Sequence, residues 1–461
     1  MATTDYLVVA MFATFILFML TGFPIAFCLS GTAILFTALG YMGDHYLGTS
    51  TGVDFNYFGI AVTRIFSTMS NWVLVSLPMF IYMGLMLDRS GIAEKLMTSA
   101  QELFGKVRGG LAITVTLIGV IMAASTGIIG ASVVLLGLLT VPAMLRQGYD
   151  KRLAVGTVAA AGTLGILIPP SIMLVVMGDQ VGISVGDLFM GAFLPGLILA
   201  TLYGIYLIVL CYLKPEKAPL LEDRRPLSWR VVFDVLKSVI PPAILILSVL
   251  GSIFLGIATV TEASGVGALV ATVLAYANKK LNFRVMKDVL YITFNTNAYI
   301  FGILIGATCF ALVLRGLGGD EFIARILKSL PFGPMGILWF IVCCVFMLGF
   351  FLDWIEICFI ILPLIAPVVV DLDFHVEGYG VVTDPKMVWF LLVLAITLQT
   401  SFLTPPVGFA LFYLKGIVPP EVTLADIYRG VIPFVIIQMI GVFVVSTWPE
   451  LVTWLPAVAY R

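Results

Sequence analysis

Residues 124–177 read ASTGIIGASVVLLGLLTVPAMLRQGYDKRLAVGTVAAAGTLGILIPPSIMLVVM, which is two apolar runs joined by the short basic loop RQGYDKR. Both runs are interrupted where an ordinary membrane helix would continue. The interruptions are Ser125-Thr126-Gly127 in the first run, and Thr163-Leu164-Gly165 with Pro169-Pro170-Ser171 in the second. A helix break at membrane depth frees backbone carbonyls and amides, which is tolerated only beside protein or a water-filled cavity. This stretch therefore predicts one half of an ion or substrate site.

The composition is that of a membrane protein built from helices. Of 461 residues, 61% are hydrophobic and only 11% are charged, whereas a soluble domain has roughly 25% charged residues. Long apolar runs recur along the chain, and the ten-residue alternating segments of a β-barrel are absent. We therefore predict an all-α polytopic membrane protein that contacts the lipid bilayer along most of its length.

Several functional classes are disfavoured by what the chain lacks. The six cysteines all lie inside apolar runs, which indicates buried thiols rather than a disulfide framework or a metal site. Only two histidines occur, and both lie in polar loops. The net charge of −1 argues against nucleic acid as a partner, and no Walker-type glycine loop provides an ATP site. An intramembrane enzyme is also disfavoured, because only one acidic pair lies in an apolar run.

The interrupted stretch has a counterpart later in the chain. We predict a re-entrant hairpin over 109–146 and a broken span over 152–178, repeated as a hairpin over 334–370 and a broken span over 387–413. In each half a proline in the hairpin precedes a Thr/Ser-rich stretch and a Pro-Pro pair. Five full spans accompany each hairpin, and this odd number inverts the second copy. The prediction is an inverted repeat, residues 1–230 and 231–461, with ten spans in total.

Charge orients this arrangement. Three loops rich in Lys and Arg, around residues 146–152, 214–230 and 279–287, are predicted to be cytoplasmic by the positive-inside rule. The acidic loops around 44–54 and 371–386 are then external. The first hairpin consequently enters from the cytoplasm, the second enters from outside, and both termini are predicted to be periplasmic.

The first half offers a site for a hard cation without any acidic residue. Backbone carbonyls and hydroxyl groups can coordinate Na⁺ without burying a net negative charge. The alternative is helix packing, in which small residues allow close approach and hydroxyl groups bond their own backbone. The candidate ligands are Ser125, Thr126 and Gly127 of the hairpin and Thr163, Gly165 and Ile168 of the broken span.

The second half adds the acidic pair, Asp353 and Glu356. An acidic residue at helix centre costs about 2.5–3.5 kcal/mol on insertion scales, which favours a cation or proton ligand, or a partner for a buried donor. The alternatives are that the hairpin tip reaches water and solvates both groups, or that Glu356 is only a structural partner. Glu262 begins a span and is equally well explained by the helix dipole.

An anionic substrate would meet positive features other than Lys or Arg, because neither lies deep in a span. The N-terminal ends of half-helices, at the hairpin tips and after the Pro-Pro pairs, offer free amides and the positive end of a dipole. For Ser132 helix packing is a competing explanation. The candidate substrate-binding residues are Ser132, Pro170, Ser171, Glu356 and Pro406.

Several motifs resemble those of one transporter family. They are GASVVLLGLLTVPAMLRQGYDKRLAVGTVAAAGTLGILIPPSIMLVVMG, LPMFIYMGLMLDRSGIAEKLM, TVTEASGVGALVA, LDWIEICFIILPLIAPVV and TPPVGFALFYLKG, in order over almost the whole chain. The chain resembles the large membrane subunit (M subunit, DctM-like) of tripartite ATP-independent periplasmic (TRAP) transporters. The resemblance implies a Na⁺-driven importer of organic acids in the bacterial inner membrane. It also implies an elevator fold, with a transport domain that moves against a scaffold.

The resemblance extends to ligands and partners. It implies two cation sites that flank one carboxylate substrate between the hairpin tips, with Na⁺ as the coupling ion. The partners would be a small four-helix membrane subunit, expected as a separate polypeptide, and a periplasmic substrate-binding protein. The alternative function is an autonomous cation/carboxylate symporter that needs no binding protein. The second cation site maps by position to Gly349, Asp353, Gln399 and Thr404.

Overall fold

The computed structural model describes residues 3–104, 107–126, 129–220, 229–376, 384–406 and 408–459. Over these residues the secondary structure is helical and contains no strand. Eight described helices are long and apolar enough to cross a membrane, or nine if the bent pair Phe55–Met69 and Val73–Arg89 forms one span. The prediction of an all-α polytopic membrane protein is confirmed.

The chain divides into two compact units that do not follow chain order. Unit 1 contains Met1–Trp72, Phe294–Ile341 and Trp354–Phe374. Unit 2 contains Val73–Thr293, Val342–Asp353 and His375–Arg461. This division concerns packing alone, and the inverted repeat of 1–230 and 231–461 stays a prediction.

Unit 1 is assembled from helices at both ends of its sequence. Its helices are α1 (Thr3–Leu20), α2 (Ile25–Tyr46), α3 (Phe55–Met69), the later part of α13 (Phe283–Gly316), α14 (Gly319–Lys328), the start of α15 (Pro334–Leu348), α16 (Trp354–Glu356) and α17 (Leu362–Asp371), with a π-helical turn at Ile357–Ile361. The Phe310 ring contacts the rings of Phe12 and Phe15, and buried Asp5 accepts a hydrogen bond from Arg325 at 3.1 Å. These contacts fix α1 against α13 and α14.

Unit 2 holds the first hairpin and both broken spans. Its helices are α4 (Ser76–Arg89), α5 (Ile92–Phe104), α6 (Gly110–Thr126), α7 (Ile129–Arg146), α8 (Lys151–Thr163), α9 (Ile172–Val181), α10 (Val185–Leu213), α11 (Trp229–Phe254), α12 (Val260–Ala277), the start of α13, the end of α15, α18 (Pro385–Phe402), α19 (Phe409–Lys415), α20 (Leu424–Thr447) and α21 (Glu450–Ala459). Helix α8 packs against α6, α7 and α20. Helix α18 is buried from Met387 to Phe402.

The predicted breaks are present, and the described residues provide eight or nine long apolar helices against the ten predicted spans. The segment 152–178 forms α8 and α9, each too short to cross alone. Conversely, Trp354–Asp371, predicted as the second arm of a hairpin, is 18 residues long. Within this predicted hairpin the chain leaves helical geometry after Leu348, and helix resumes at Trp354.

Two of the loops predicted to be cytoplasmic lie at the same end of unit 2. The amide of Asp150, in the loop before α8, donates a hydrogen bond to the Lys217 carbonyl at 2.9 Å. Lys217 lies in the 3₁₀ turn that follows α10. The contact agrees with the prediction that both basic loops share one side of the membrane.

Candidate functional site

The first break follows from the chemistry of its two prolines. Proline has no N–H, so Pro169 and Pro170 cannot donate to the carbonyls of Gly165 and Ile166 as a continuous helix requires. The chain forms a 3₁₀ turn over Leu164–Ile166 and leaves helical geometry before α9 begins. The Pro169–Pro170 peptide is cis. Among the described hydrogen bonds, none reaches the Gly165 carbonyl from a donor after the break.

Ser171 repairs the other side of this break. Its hydroxyl donates a short hydrogen bond to the Ile166 carbonyl, and its Oγ accepts from the Leu174 amide at 3.5 Å as the N-cap of α9. Serine is a preferred N-cap because it satisfies a free amide of the first turn. This gives Ser171 a structural function. A contact of Ser171 with substrate stays a prediction, as does one of the adjacent Pro170.

The first hairpin packs directly onto the broken span. A Cβ on Gly162 of α8 would lie 2.5 Å from a methyl group of Val133 on α7. Helix α10 approaches the same broken span, since a Cβ on its Gly196 would lie 2.8 Å from Ile168. Ser132, beside Val133, is buried. These contacts agree with the packing explanation for the small residues, and they leave open whether Ser132 also meets substrate.

The tip of this hairpin is only partly described. Ser125 and Thr126 occupy the last positions of α6, and their side chains lie outside the described part of the structure. Gly127 also lies outside the described residues. The structure therefore places the backbone of the first two predicted ligands at the start of the turn, and their coordination stays a prediction.

The second break has the same construction as the first. Pro405 and Pro406 follow α18, their peptide bond is cis, and helix resumes as α19 at Phe409. The Ser401 carbonyl, deprived of a donor from Pro405, accepts from the Thr404 amide at 3.1 Å. The Pro406 carbonyl accepts from the Tyr428 hydroxyl at 2.9 Å. That bond gives Pro406 a structural partner, while its contact with substrate stays a prediction.

The predicted threonine ligands bond their own backbone. Thr163 Oγ1 donates to the Ala160 carbonyl at 2.9 Å, and Thr404 Oγ1 donates to the Thr400 carbonyl at 2.8 Å. Such back-bonding is usual for hydroxyl groups inside membrane helices. Each oxygen keeps lone pairs that can accept from a donor or coordinate a cation. The geometry is thus compatible with both explanations offered by the sequence.

Gln399 differs from its neighbours. Its side chain is 0% exposed on α18, and neither its amide oxygen nor its amide nitrogen has a hydrogen-bond partner among the described residues. A buried amide without partners costs about 1–3 kcal/mol, so proteins rarely retain one without a reason. Of all the predicted cation ligands, Gln399 carries the strongest structural signal for a ligand.

Residues Gly349–Asp353 connect α15 to α16 and form the link of the second hairpin. This link contacts α18 one turn before the Pro-Pro pair. A Cβ on Gly349 would overlap Ser401 Oγ and lie 2.7 Å from the Ser401 Cβ. Asp353 ends the same link and is half-buried. Both belong to unit 2. Glu356 belongs to unit 1 and is 0% exposed, so full solvation of both acidic groups is wrong for Glu356.

Helix α19, the second part of the second broken span, packs against α7 of the first hairpin. A Cβ on Gly130 would lie 3.2 Å from the Tyr413 ring, and one on Gly137 would lie 3.1 Å from Leu414 and overlap Ile417. Sequence reasoning did not single out Tyr413 or Gly137. Only small residues at one face of α7 hinted at such a contact, and the identity of the partner needs the tertiary structure.

Unit 2 thus assembles one type of chemistry. Both helix breaks, the first hairpin and the link of the second hairpin supply carbonyl, hydroxyl and amide oxygens, with Asp353 as the carboxylate. The described residues contain no group of three or more His, Cys, Asp or Glu that could hold a metal. Such an oxygen set suits a hard monovalent cation better than a transition metal.

A comparison with known protein families identifies the family of this chain. The family model of the DctM component of tripartite ATP-independent periplasmic transporters matches residues 12–451. The chain belongs to this family. The resemblance inferred from the sequence motifs is therefore confirmed. This permease is a component of a secondary transporter, not an enzyme, and it is a multi-pass protein of the bacterial inner membrane.

Curated relatives agree with this assignment. The permease is 28% identical to the C4-dicarboxylate TRAP transporter large permease protein DctM of Vibrio cholerae, with 95% of each chain covered. It is also 28% identical to the isethionate TRAP transporter permease protein DctMQ of Oleidesulfovibrio alaskensis. That match covers 95% of this chain and 64% of the relative. The family works with a small membrane subunit and a substrate-binding protein.

A solved structure shares the fold. The crystal structure of the YdaH transporter of Alcanivorax borkumensis, described by its title as having an unusual topology, matches with a TM-score of 0.53. The match covers 84% of this chain and 88% of that chain at 14% identity. At this identity the likeness concerns the fold alone.

Proposed function

We propose that this permease imports a small organic anion, coupled to Na⁺, from a periplasmic binding protein. The observation that carries the proposal is the packing in unit 2, where both Pro-Pro breaks lie with the first hairpin and the Gly349–Asp353 link. Broken helices whose ends and freed carbonyls meet are the ion and substrate sites of secondary transporters. The relatives named above, for C4-dicarboxylate and isethionate, support an acidic substrate.

Na⁺ fits the donor set better than a divalent ion does. Carbonyl, hydroxyl and amide oxygens neutralise little charge, and Asp353 is the one carboxylate of the set in unit 2. Bound Na⁺ would add positive charge beside the amides of the half-helices, which favours a carboxylate or sulfonate. Each charge moved with the membrane potential contributes about 2.3 kcal/mol per 100 mV.

The coupling claim is tested in vesicles that contain the permease, a small membrane subunit and a binding protein. We expect uptake of a labelled dicarboxylate or sulfonate only with an inward Na⁺ gradient. Uptake that is unchanged in Na⁺-free buffer would contradict the coupling. Uptake without a binding protein would favour the alternative, an autonomous symporter. Preferential uptake of a neutral or zwitterionic solute would contradict the anionic substrate.

Asp353 provides a sharper version of this test. Asp353→Asn should abolish uptake or raise the Na⁺ concentration needed for half-maximal uptake, because the carboxylate offsets the cation charge. Asp234→Asn on the exposed start of α11 makes the same chemical change away from the breaks and should leave uptake unchanged. A normal Na⁺ response of the Asp353 variant would remove this residue from the site.

The proposal includes an orientation and a motion. Both termini are placed in the periplasm by the positive-inside rule, and thiols introduced at residues 3 and 459 should react with a membrane-impermeant reagent in intact spheroplasts. The elevator mechanism implied by the family would carry the site across the membrane with the body that holds it. Reaction of both terminal thiols only after lysis would contradict the orientation.

A further inference from the structure

A cavity of about 290 Å³ lies in unit 2 beside the basic loops. Three cationic side chains line it from three separate elements: Arg152 at the start of α8, Lys217 after α10, and Arg429 on α20. Such convergence of like charges costs free energy unless an anion compensates it.

Two acidic groups lie at the cavity: Asp150 lines it, and Asp426 lies beside Arg152. Asp150 accepts hydrogen bonds from the amides of Arg152 and Leu153, both at 3.0 Å, and so caps α8. Asp426 lies 3.5 Å from Arg152 Nε and accepts from the Thr423 hydroxyl at 2.7 Å. Two carboxylates thus offset part of the charge of the three cations, and a net positive charge remains.

Neither Arg429 nor Lys217 forms an ion pair with any residue that the structure describes. Tyr206, which also lines the cavity, contributes a hydroxyl group that can donate. The cavity thus presents an excess of positive charge and hydrogen-bond donors.

The remaining wall is apolar, and exposed aliphatic side chains lie elsewhere on the same helices. Leu210, Ile432 and Phe434 line the cavity. On the same two helices Ile205 and Ile436 are 52% and 55% exposed. Exposed aliphatic side chains on membrane helices contact acyl chains. The site therefore has a cationic part next to a surface suited to hydrocarbon.

The cavity also lies at the right depth. Leu210 is three residues from the end of α10, and Arg429 is five residues from the start of α20. At about 1.5 Å per residue these positions are within about 8 Å of the helix ends, at the level of lipid headgroups. The loops at this end are those predicted to be cytoplasmic, where anionic lipids attract basic residues.

We propose that this cavity binds the phosphate headgroup of an anionic phospholipid. Arg429, Lys217 and Arg152 hold the phosphate, Tyr206 donates to it, and the acyl chains lie along α10 and α20. A free phosphate or phosphate monoester has the same anionic chemistry but lacks the chains. The exposed aliphatic side chains of α10 and α20 favour the lipid.

Native mass spectrometry of the full purified chain tests this proposal. The chain is titrated with phosphatidylglycerol and, in parallel, with phosphatidylcholine of identical acyl chains. We expect one site with at least about fivefold preference for phosphatidylglycerol. Arg429→Gln and Lys217→Gln should each weaken it about fivefold, since a juxtamembrane cation contributes about 1 kcal/mol. Arg284→Gln with Lys287→Gln, at the exposed start of α13, is the matched control and should change nothing.

Two further measurements keep the test decisive. Leu210→Trp fills the cavity without altering its charge and should also weaken phosphatidylglycerol binding, even if a charge variant fails to fold. Equal binding of both lipids, or equal loss in the α13 control, would overturn the proposal. Displacement of the lipid by inorganic phosphate at equal concentration would assign the cavity to a free anion and would overturn the lipid claim.

Discussion

Gly349, in the link after α15, packs directly on Ser401 in the last turn of α18. A Cβ on Gly349 would lie 2.7 Å from the Ser401 Cβ and overlap its Oγ. Ser401 in turn donates its hydroxyl to the Leu398 carbonyl at 2.8 Å, so the rotamer that faces Gly349 is fixed. The link of the second hairpin is thereby positioned by the helix that carries Gln399.

Gly349→Ala should disrupt this contact and with it uptake. Overpacking of a buried contact costs about 1–3 kcal/mol, and here the strain falls on the link that ends at Asp353. We expect a loss of uptake with a smaller loss of thermal stability. Because the clash is with a side chain, Ser401→Gly in the same chain should restore part of the uptake, which a double-mutant cycle measures.

Gly251→Ala provides the control for this change. Gly251 lies inside α11, and a Cβ there would have no atom within 4 Å. The substitution should be neutral or stabilising, by up to about 1 kcal/mol from helix propensity. Equal loss of uptake in both variants would contradict a specific role for the Gly349 contact.

Gln399→Met should separate ion binding from stability. If the amide oxygen is a Na⁺ ligand, the half-saturating Na⁺ concentration for uptake should rise about tenfold or more. This corresponds to a loss of about 1.5 kcal/mol in the free energy of Na⁺ binding. In Na⁺-free buffer the melting temperature should not fall, because the buried amide has no described partner to lose. Gln438→Met on α20, also fully buried, should leave the Na⁺ dependence unchanged. An unaltered Na⁺ dependence of the Gln399 variant would exclude it as a ligand.

Gly156→Ala should separate α8 from α20. A Cβ at Gly156 would overlap the Gly430 carbonyl oxygen and lie 2.6 Å from its carbon, so no side chain can move aside. We expect a fall in melting temperature and in the monodisperse fraction on size exclusion. No second side-chain substitution should restore the melting temperature of Gly156→Ala, whereas Ser401→Gly should partly restore the uptake of Gly349→Ala. Gly204→Ala on α10, where a Cβ meets no atom within 4 Å, should behave as wild type. A wild-type melting temperature for Gly156→Ala would contradict this close packing.

Asp44→Ala should loosen the connection between α2 and α3. The Asp44 carboxylate accepts from both Thr49 and Thr51 hydroxyl groups and from the amides of Thr51 and Gly52, at 2.8–2.9 Å. Without it the loop loses its central acceptor, and limited proteolysis between residues 47 and 53 should accelerate. Thr49→Val removes one of these bonds and should have a smaller effect. Equal cleavage rates in wild type and Asp44→Ala would show that the loop is held by other contacts.

The broken helices could be predicted from the sequence because their cause is local. Proline lacks an N–H, so Pro169-Pro170 and Pro405-Pro406 interrupt a helix whatever surrounds them. The outcome at Gln399 could not be predicted to the same extent. The resemblance placed Gln399 in the second cation site, but its lack of described hydrogen-bond partners depends on neighbours from other helices.

The sequence by itself determined the membrane class, the two Pro-Pro breaks and the family, since hydropathy, missing donors and motifs are properties of short segments. Tertiary structure alone decided which segments pack together. It placed the Gly349–Asp353 link with both broken spans in unit 2, and Glu356, three residues after Asp353, in unit 1. It also brought Arg152, Lys217 and Arg429 to one cavity. Such contacts join residues far apart in the chain, and they depend on the fit of whole helix surfaces rather than on local propensity.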